Sequence, residues 1–180
     1  MRTVLFILGE LEDDDAEWLA SVGERRRVPA GTAIIEEGRE ADALYIVLDG
    51  TLAATIAARR DPVGLLTRGT IAGEMSFVDG LPPSATVRPV GEALVLAVPR
   101  HLLQQRLQSD APFAARFYKA LAMLLSARMR TSNTLLLGDG ALRLDEDVTD
   151  EDEMDPDSLD TVYLAGQRFD RILKRLAGSQ

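Results

Sequence analysis

The spacing of hydrophobic positions changes period twice along this chain. Near the start, Trp18, Leu19 and Val22 share one side of a 3.6-residue repeat, which predicts a short helix. Asp13, Asp14 or Asp15 is placed to cap it, and Gly23 to end it. From Arg27 to Val98 the texture becomes short β-rich runs, at 33–35, 44–48, 51–56, 63–66, 85–87 and 93–98. Glycines at 31, 38, 50, 64, 69, 73, 80 and 91 fall between or beside them. Many short strands with frequent turns predict an antiparallel double-sheet barrel of jelly-roll type. Beyond Val98 the period is helical again. A short amphipathic helix is expected at 100–107, and Pro112 suits the first turn of a longer one. Phe113, Phe117, Leu121, Leu124 and Arg128 form a stripe along that helix, which is expected to run to about Leu136 and stop at Gly138 and Gly140.

The segment that follows is dominated by Asp and Glu and contains Pro156, so self-repulsion and low hydrophobicity predict a flexible linker. A docking tail for a basic partner is the alternative. Then Leu159, Val162, Phe169, Ile172, Leu173 and Leu176 give a last amphipathic helix, with Arg168, Arg171, Lys174 and Arg175 on or near its other face. Its apolar stripe needs a surface to cover it. That surface could belong to its own barrel, a second subunit or another protein. The expected organisation is a helical segment at 1–26, a barrel with its long helix at 27–137, an acidic linker at 138–158 and a terminal helix at 159–177.

Composition narrows the function. The chain has 180 residues and a net charge of −9, which opposes non-specific nucleic-acid binding through phosphate neutralisation. It has no cysteine, so disulfides, thiolate metal sites and cysteine nucleophiles are absent. The single histidine, His101, falls at an expected helix start outside the barrel and cannot by itself make a transition-metal site. No Ser-His-Asp or paired-carboxylate pattern stands out, and no enzyme is expected. The one short apolar run near the N-terminus is followed at once by carboxylates, and no stretch approaches the ~20 apolar residues of a membrane span. A cytoplasmic protein is expected.

The most informative stretch is residues 71–87. It reads as a strand end, a tight glycine at 73, one short helical turn, a Gly-Pro-Pro reversal and a new strand. Such a turn exposes backbone N–H groups in a concave arrangement that attracts anions. Glu74 could accept hydrogen bonds from sugar hydroxyls, and Ser84 and Thr86 could donate to an anion.

Gly73-Glu74-Met75-Ser76-Phe77, a spacer, then Pro82-Pro83-Ser84-Ala85-Thr86 resembles the phosphate-binding cassette of cyclic-nucleotide-binding domains. The upstream glycine frame, with Gly31 and Gly38 and then Leu44-Tyr45-Ile46-Val47-Leu48-Asp49-Gly50, fits the same family. The resemblance covers about residues 11–136. It implies that Glu74 holds a ribose hydroxyl and that backbone N–H groups near Gly73, Ser84 and Ala85 hold a cyclic phosphate. Met75, Ser76, Pro83 and Thr86 complete the candidate cassette set. The resemblance also lays the long helix over the base, with Ser132 and Asn133 at the base position. The implied ligand is cAMP or cGMP. The implied role is regulatory sensing, with homodimerisation through the long helix.

One position departs from the cassette. Its arginine, which pairs with the cyclic phosphate, is Pro83 here. Losing a buried charge-assisted contact of that kind costs about 2–5 kcal/mol, roughly 30- to several-thousand-fold in affinity. Arg88 shares a strand face with Ser84 and Thr86, and Arg128 or Arg130 could reach in from the long helix. The competing expectation is a degenerate cassette that binds no nucleotide, on a fold that serves protein interaction. A catabolite-activator-type transcription factor is disfavoured, because an acidic run and one helix stand where a helix-turn-helix is needed.

Overall fold

The computed structural model describes residues 8–59, 61–137 and 156–177, with side chains described except at 131–137, 156–162 and 177. Its elements run α1 (Asp13–Val22), β1 (Glu24–Val28), β2 (Ala43–Asp49), β3 (Leu52–Thr55), β4 (Gly64–Leu66) and β5 (Ile71–Ala72). They continue with α2 (Glu74–Asp79), β6 (Thr86–Pro89), β7 (Ala93–Pro99), α3 (Arg100–Ser109), α4 (Ala111–Leu137) and α5 (Pro156–Ala177). Of the acidic linker expected at 138–158, residues 138–155 lie outside the described residues.

Two antiparallel sheets form the barrel, one ordered β1-β7-β2-β5 and the other β4-β3-β6. The central strands of the larger sheet, β2 and β7, are buried on both faces, and for this reason they read as continuous hydrophobic runs rather than alternating ones. Leu44, Ile46 and Leu48 of β2 and Leu96 and Val98 of β7 pack toward the helices. Their neighbours Ala43, Tyr45, Val47, Ala93, Val95 and Ala97 point the other way, into the layer between the sheets with Leu52 and Val87. This alternation is the period-2 side-chain geometry of a strand. The helical layer is anchored by Phe113, Phe117, Leu121 and Leu124 of α4, with Trp18 edge-on to Phe113 at 5.7 Å between centroids.

Several elements differ from the sequence expectation. The run at 33–35 is not a strand: only Ile35 makes an isolated bridge, to Val87, because Gly31 and Gly38 turn the chain away on either side. Conversely, β1 is a strand although its sequence, Glu-Arg-Arg-Arg-Val, carries no hydrophobic alternation. It exists because it pairs along its whole length with β7, from Glu24 opposite Ala97 to Val28 opposite Ala93. The cap of α1 is Glu12 rather than one of the three aspartates, and the side chain of Asp15 in turn accepts from the Glu12 N–H. Gly23 does end that helix, and a Cβ there would meet Leu96 at 2.6 Å, so the close passage of α1 over β7 requires glycine.

Asp15 is the hinge pin of the helical layer. It is 1% exposed and accepts from Arg106 of α3 and Arg116 of α4, each at 2.8 Å. The hydrogen bond that Arg116 donates to Asp15 raises the Arg116 pKa above its ordinary value. Arg106 also lies over the rings of Phe113 and Trp18, at 4.2 and 4.6 Å from their centroids. That stacking faces a guanidinium whose Nη1 has no hydrogen-bond partner among the described residues. The carboxylate thus ties α1, α3 and α4 into one unit.

The last helix packs on the helical layer. Ala165, Phe169 and Ile172 are buried in the same cluster as α1 and α4, with Leu173 and Leu176 packed at its margin. Arg168 and Arg171 pair with Asp13 of α1 and Arg175 with Glu17; Arg168 is sheltered there, while Arg171 and Arg175 remain about half exposed.

Candidate functional site

The cassette begins where β5 ends. Gly73 takes φ 92, a left-handed conformation that favours glycine, and it turns the chain from β5 into α2. A Cβ at Gly73 would come within 3.2 Å of the Ala43 carbonyl oxygen, so the turn is also tight against β2. Gly80 takes φ 71 at the other end of α2. Between these glycines lies one short helix whose inner side is Glu74, Ser76 and Phe77, all buried. Met75 and Val78 point out, 53% and 48% exposed.

Glu74 does not face water. It is 3% exposed, and its carboxylate accepts from the Arg128 guanidinium of α4. The same guanidinium donates to the Ile71 carbonyl oxygen at 2.8 Å. One side chain of the long helix therefore grips both the strand that leads into the cassette and its first helical residue. The other end of α2 is held from α3: Arg100 donates to the Ser76 carbonyl oxygen at 2.9 Å and lies 5.5 Å from the Phe77 ring centroid.

The second half of the cassette alternates in exposure. Pro82 and Ser84 are exposed, whereas Pro83 is buried, so the side chain of residue 83 points into the protein. The Pro83 carbonyl oxygen accepts from the Gly38 N–H at 2.9 Å. Thr86 is partly buried, and its hydroxyl oxygen accepts from the Glu37 N–H at 3.0 Å while the Glu37 carboxylate accepts from the Ala57 N–H at 2.7 Å. The backbone N–H groups of Ser84 and Ala85 make no hydrogen bond among the described residues. Two adjacent backbone donors are thus left available beside a buried position.

Gly73, Glu74, Met75 and Ser76 are consecutive on this turn, and Pro83, Ser84, Ala85 and Thr86 follow it into β6. Ser132 and Asn133 lie on the last turns of α4, and their side chains are outside the described residues. The cation expected beside the Ser84 and Ala85 amides is not supplied by the arginines proposed for it. Arg88 does share the face of Thr86, but that face is the outer one, opposite buried Val87, and Arg88 is exposed. Arg128 does reach in, and its partners are Glu74 and Ile71. Arg130 is exposed.

Sequence reasoning missed the roles of Arg100, Glu37 and Gly38, and it did not foresee that Arg128 pairs with Glu74. The signal available for Arg128 was its place on the buried stripe of α4, where a cation needs an acidic partner. Nothing local marked Arg100. In the layer between the sheets, Tyr45 donates to Asp42 at 2.8 Å, and burial, then this hydrogen bond, push its phenol pKa well above the ordinary 10.0.

Residues 25–110 match the family model described as the cyclic nucleotide-binding domain. Among curated proteins, the chain is 31% identical over 94 residues to a cAMP-dependent protein kinase regulatory subunit of Emericella nidulans, covering 52% of this chain and 23% of that protein. It is 28% identical over 119 residues to an uncharacterized NTE family protein of Mycobacterium tuberculosis, covering 66% of this chain and 20% of that one. The chain therefore spans about a fifth of the length of these relatives. Among solved structures, a cyclic nucleotide-binding domain from Methylobacillus flagellatus superposes with a TM-score of 0.65 at 23% identity, covering 78% of this chain and 85% of that one. The Thermus thermophilus catabolite activator protein gives 0.57 at 22% identity, covering 93% of this chain and 84% of that one. At these identities the two structures establish the fold, two antiparallel sheets flanked by helices.

Proposed function

We propose that this chain, which belongs to the cyclic nucleotide-binding domain family through residues 25–110, is a regulatory module whose cassette takes a cyclic nucleotide or a similar phosphate-bearing ligand. The observation that carries this reading is the pair of unengaged N–H groups at Ser84 and Ala85, in the same cassette segment as the glycine turn that leads into Glu74. Backbone donors of this kind suit a cyclic phosphate. Glu74 suits a ribose hydroxyl once its carboxylate shares the Arg128 guanidinium with the ligand. Signalling then follows from the same contact. A ligand that draws on Glu74 changes what Arg128 holds, and α4 shifts only by the difference in ligand affinity between its two positions. No helix among the described residues is long and apolar enough to cross a membrane, and a cytoplasmic role is part of this reading.

The long helix supports a second part of the proposal, a homodimer. Tyr118 and Met129 are 48% and 67% exposed on α4. Their separation is about three helical turns, which sets them on one face. That face is a seam for a second copy of α4.

Thermal unfolding in the presence of cAMP and of cGMP tests the ligand reading. Binding to the folded state raises stability by RT ln(1 + [L]/Kd), so the midpoint rises with ligand concentration. A flat response at millimolar ligand removes it. One observation favours the alternative of a barrel that serves protein interaction without a nucleotide: Pro83, buried, stands where the family places an arginine, and the arginines proposed to replace it lie elsewhere.

A further inference from the structure

We propose that α5 is an intramolecular latch that couples the N-terminal helical face to the cassette. The inference does not depend on which ligand, if any, the cassette takes. Asp13 at the start of α1 accepts from Arg168 at 2.8 Å and from Arg171 at 2.7 Å. Arg168 also donates to the carbonyl oxygens of Leu8 and Gly9, at 2.7 and 3.1 Å. At the other end of α5, Arg25 of β1 donates to the Leu176 carbonyl oxygen at 2.9 Å, filling one of the acceptors a helix leaves open at its C-terminus. Beneath these polar ties, Ala165, Phe169 and Ile172 are buried at 0%, 7% and 2% exposure. An amphipathic helix with apolar burial on one side and its arginines spent on specific acceptors is a docked element.

The link to the cassette runs through one turn. The Arg68 guanidinium sits 5.3 Å from the Phe169 ring centroid. Arg68 belongs to the turn between β4 and β5, where the Thr70 N–H and hydroxyl both donate to the Thr67 carbonyl oxygen. Gly69 donates to Val47 and Val47 to Thr70, which staples the turn to β2. Ile71, the residue after that turn, is the one whose carbonyl oxygen Arg128 takes. Two helices therefore grip the same short segment within four residues, α5 at Arg68 and α4 at Ile71, and the cassette glycine, Gly73, lies two residues further on. Release of α5 removes one grip, so β5 and the turn at Gly73 open more often.

Hydrogen exchange followed by mass spectrometry on the whole chain tests this. In Phe169→Ala, the amides of α5 should exchange about a hundredfold faster or more, the scale of losing a buried aromatic ring. Peptides from 66–87 should speed up with them, by about twofold at least, while the β7 core stays protected. Arg68→Ala changes an exposed side chain, so it keeps the test usable should Phe169→Ala fail to fold. It should speed α5 exchange about threefold, the scale of an exposed cation–π contact, and speed 66–87 as well. Faster α5 exchange with 66–87 unchanged in both variants would overturn the coupling. Unprotected α5 amides in the parent chain would overturn the docking. Protection of α5 that grows with protein concentration would show α5 seated on a second copy, and would overturn the intramolecular latch. No nucleotide enters these measurements, so their failure and the failure of the ligand reading are separate.

Discussion

Arg128 and Glu74 are 54 residues apart in the chain and form a buried ion pair that closes α4 over the start of the cassette. The Glu74 side chain is 4% exposed and that of Arg128 32%, so removing Arg128 leaves the Glu74 charge buried alone. That loss typically costs about 3–5 kcal/mol. Arg128→Met should therefore lower stability in urea unfolding on that scale. Adding Glu74→Gln should recover part of it, a coupling that a double-mutant cycle measures. Purely additive losses would mean that the pair contributes no coupling.

Asp13 sets an acid limit on the docking of α5. Hydrogen bonds from Arg168, then from Arg171, hold its carboxyl below the ordinary 3.8. A depressed carboxylate contributes stability that is complete above its unfolded pKa. That contribution is lost as the pH falls from 3.8 through the folded value. Asp13 is about half exposed, so the effect should be modest. Exchange protection of α5 should hold at neutral and mildly acidic pH and fall below pH 3.8, with Asp13→Asn flattening that part of the profile. An unchanged profile in Asp13→Asn would assign the acid response to other carboxylates.

Pro83 points inward, so an arginine placed there starts from the right side of the backbone. Pro83→Arg keeps the carbonyl oxygen that accepts from Gly38 and adds a cation beside the free amides. Affinity for cAMP or cGMP should rise by about 30-fold or more, the scale of a buried charge-assisted contact. The comparison is a fluorescence titration of the two chains with the same labelled nucleotide. Equal affinities would mean that residue 83 does not reach the phosphate.

The exposed Tyr118 and Met129 make the dimer testable by light scattering. A double change to glutamate buries no charge in the monomer but places charges across the proposed seam, so it should convert a dimer to a folded monomer. A parent chain that is already monomeric at about 100 μM, a weak limit for a specific interface, would remove the dimer from the account.

Much of the barrel was legible because β2 and β7 are buried on both faces and read as unbroken apolar runs. The turn at Gly73 was legible because a left-handed residue favours glycine. The strand β1 was not, since Arg25, Arg26 and Arg27 gain their place from pairing with β7, which local sequence does not encode. Of the cassette, the order of residues could be read, and the inward or outward direction of each could not. Met75 proved exposed and Glu74 buried, because that sorting depends on where α4 lies. The arginines of α5 could be placed on the face opposite its apolar stripe, but not their acceptors: Asp13 accepts from Arg168 and Arg171, and the Leu8 and Gly9 carbonyl oxygens from Arg168.

Calorimetric titration of the unaltered chain with cAMP, cGMP and a cyclic dinucleotide is the most direct test of the central claim, that the free amides of Ser84 and Ala85 receive a phosphate. The account predicts saturable heat with one site per chain for at least one of these ligands, weakened by the absence of the cassette arginine and so reaching toward millimolar Kd. Absence of heat with all three at millimolar concentration, in a chain that is folded by circular dichroism, would contradict it.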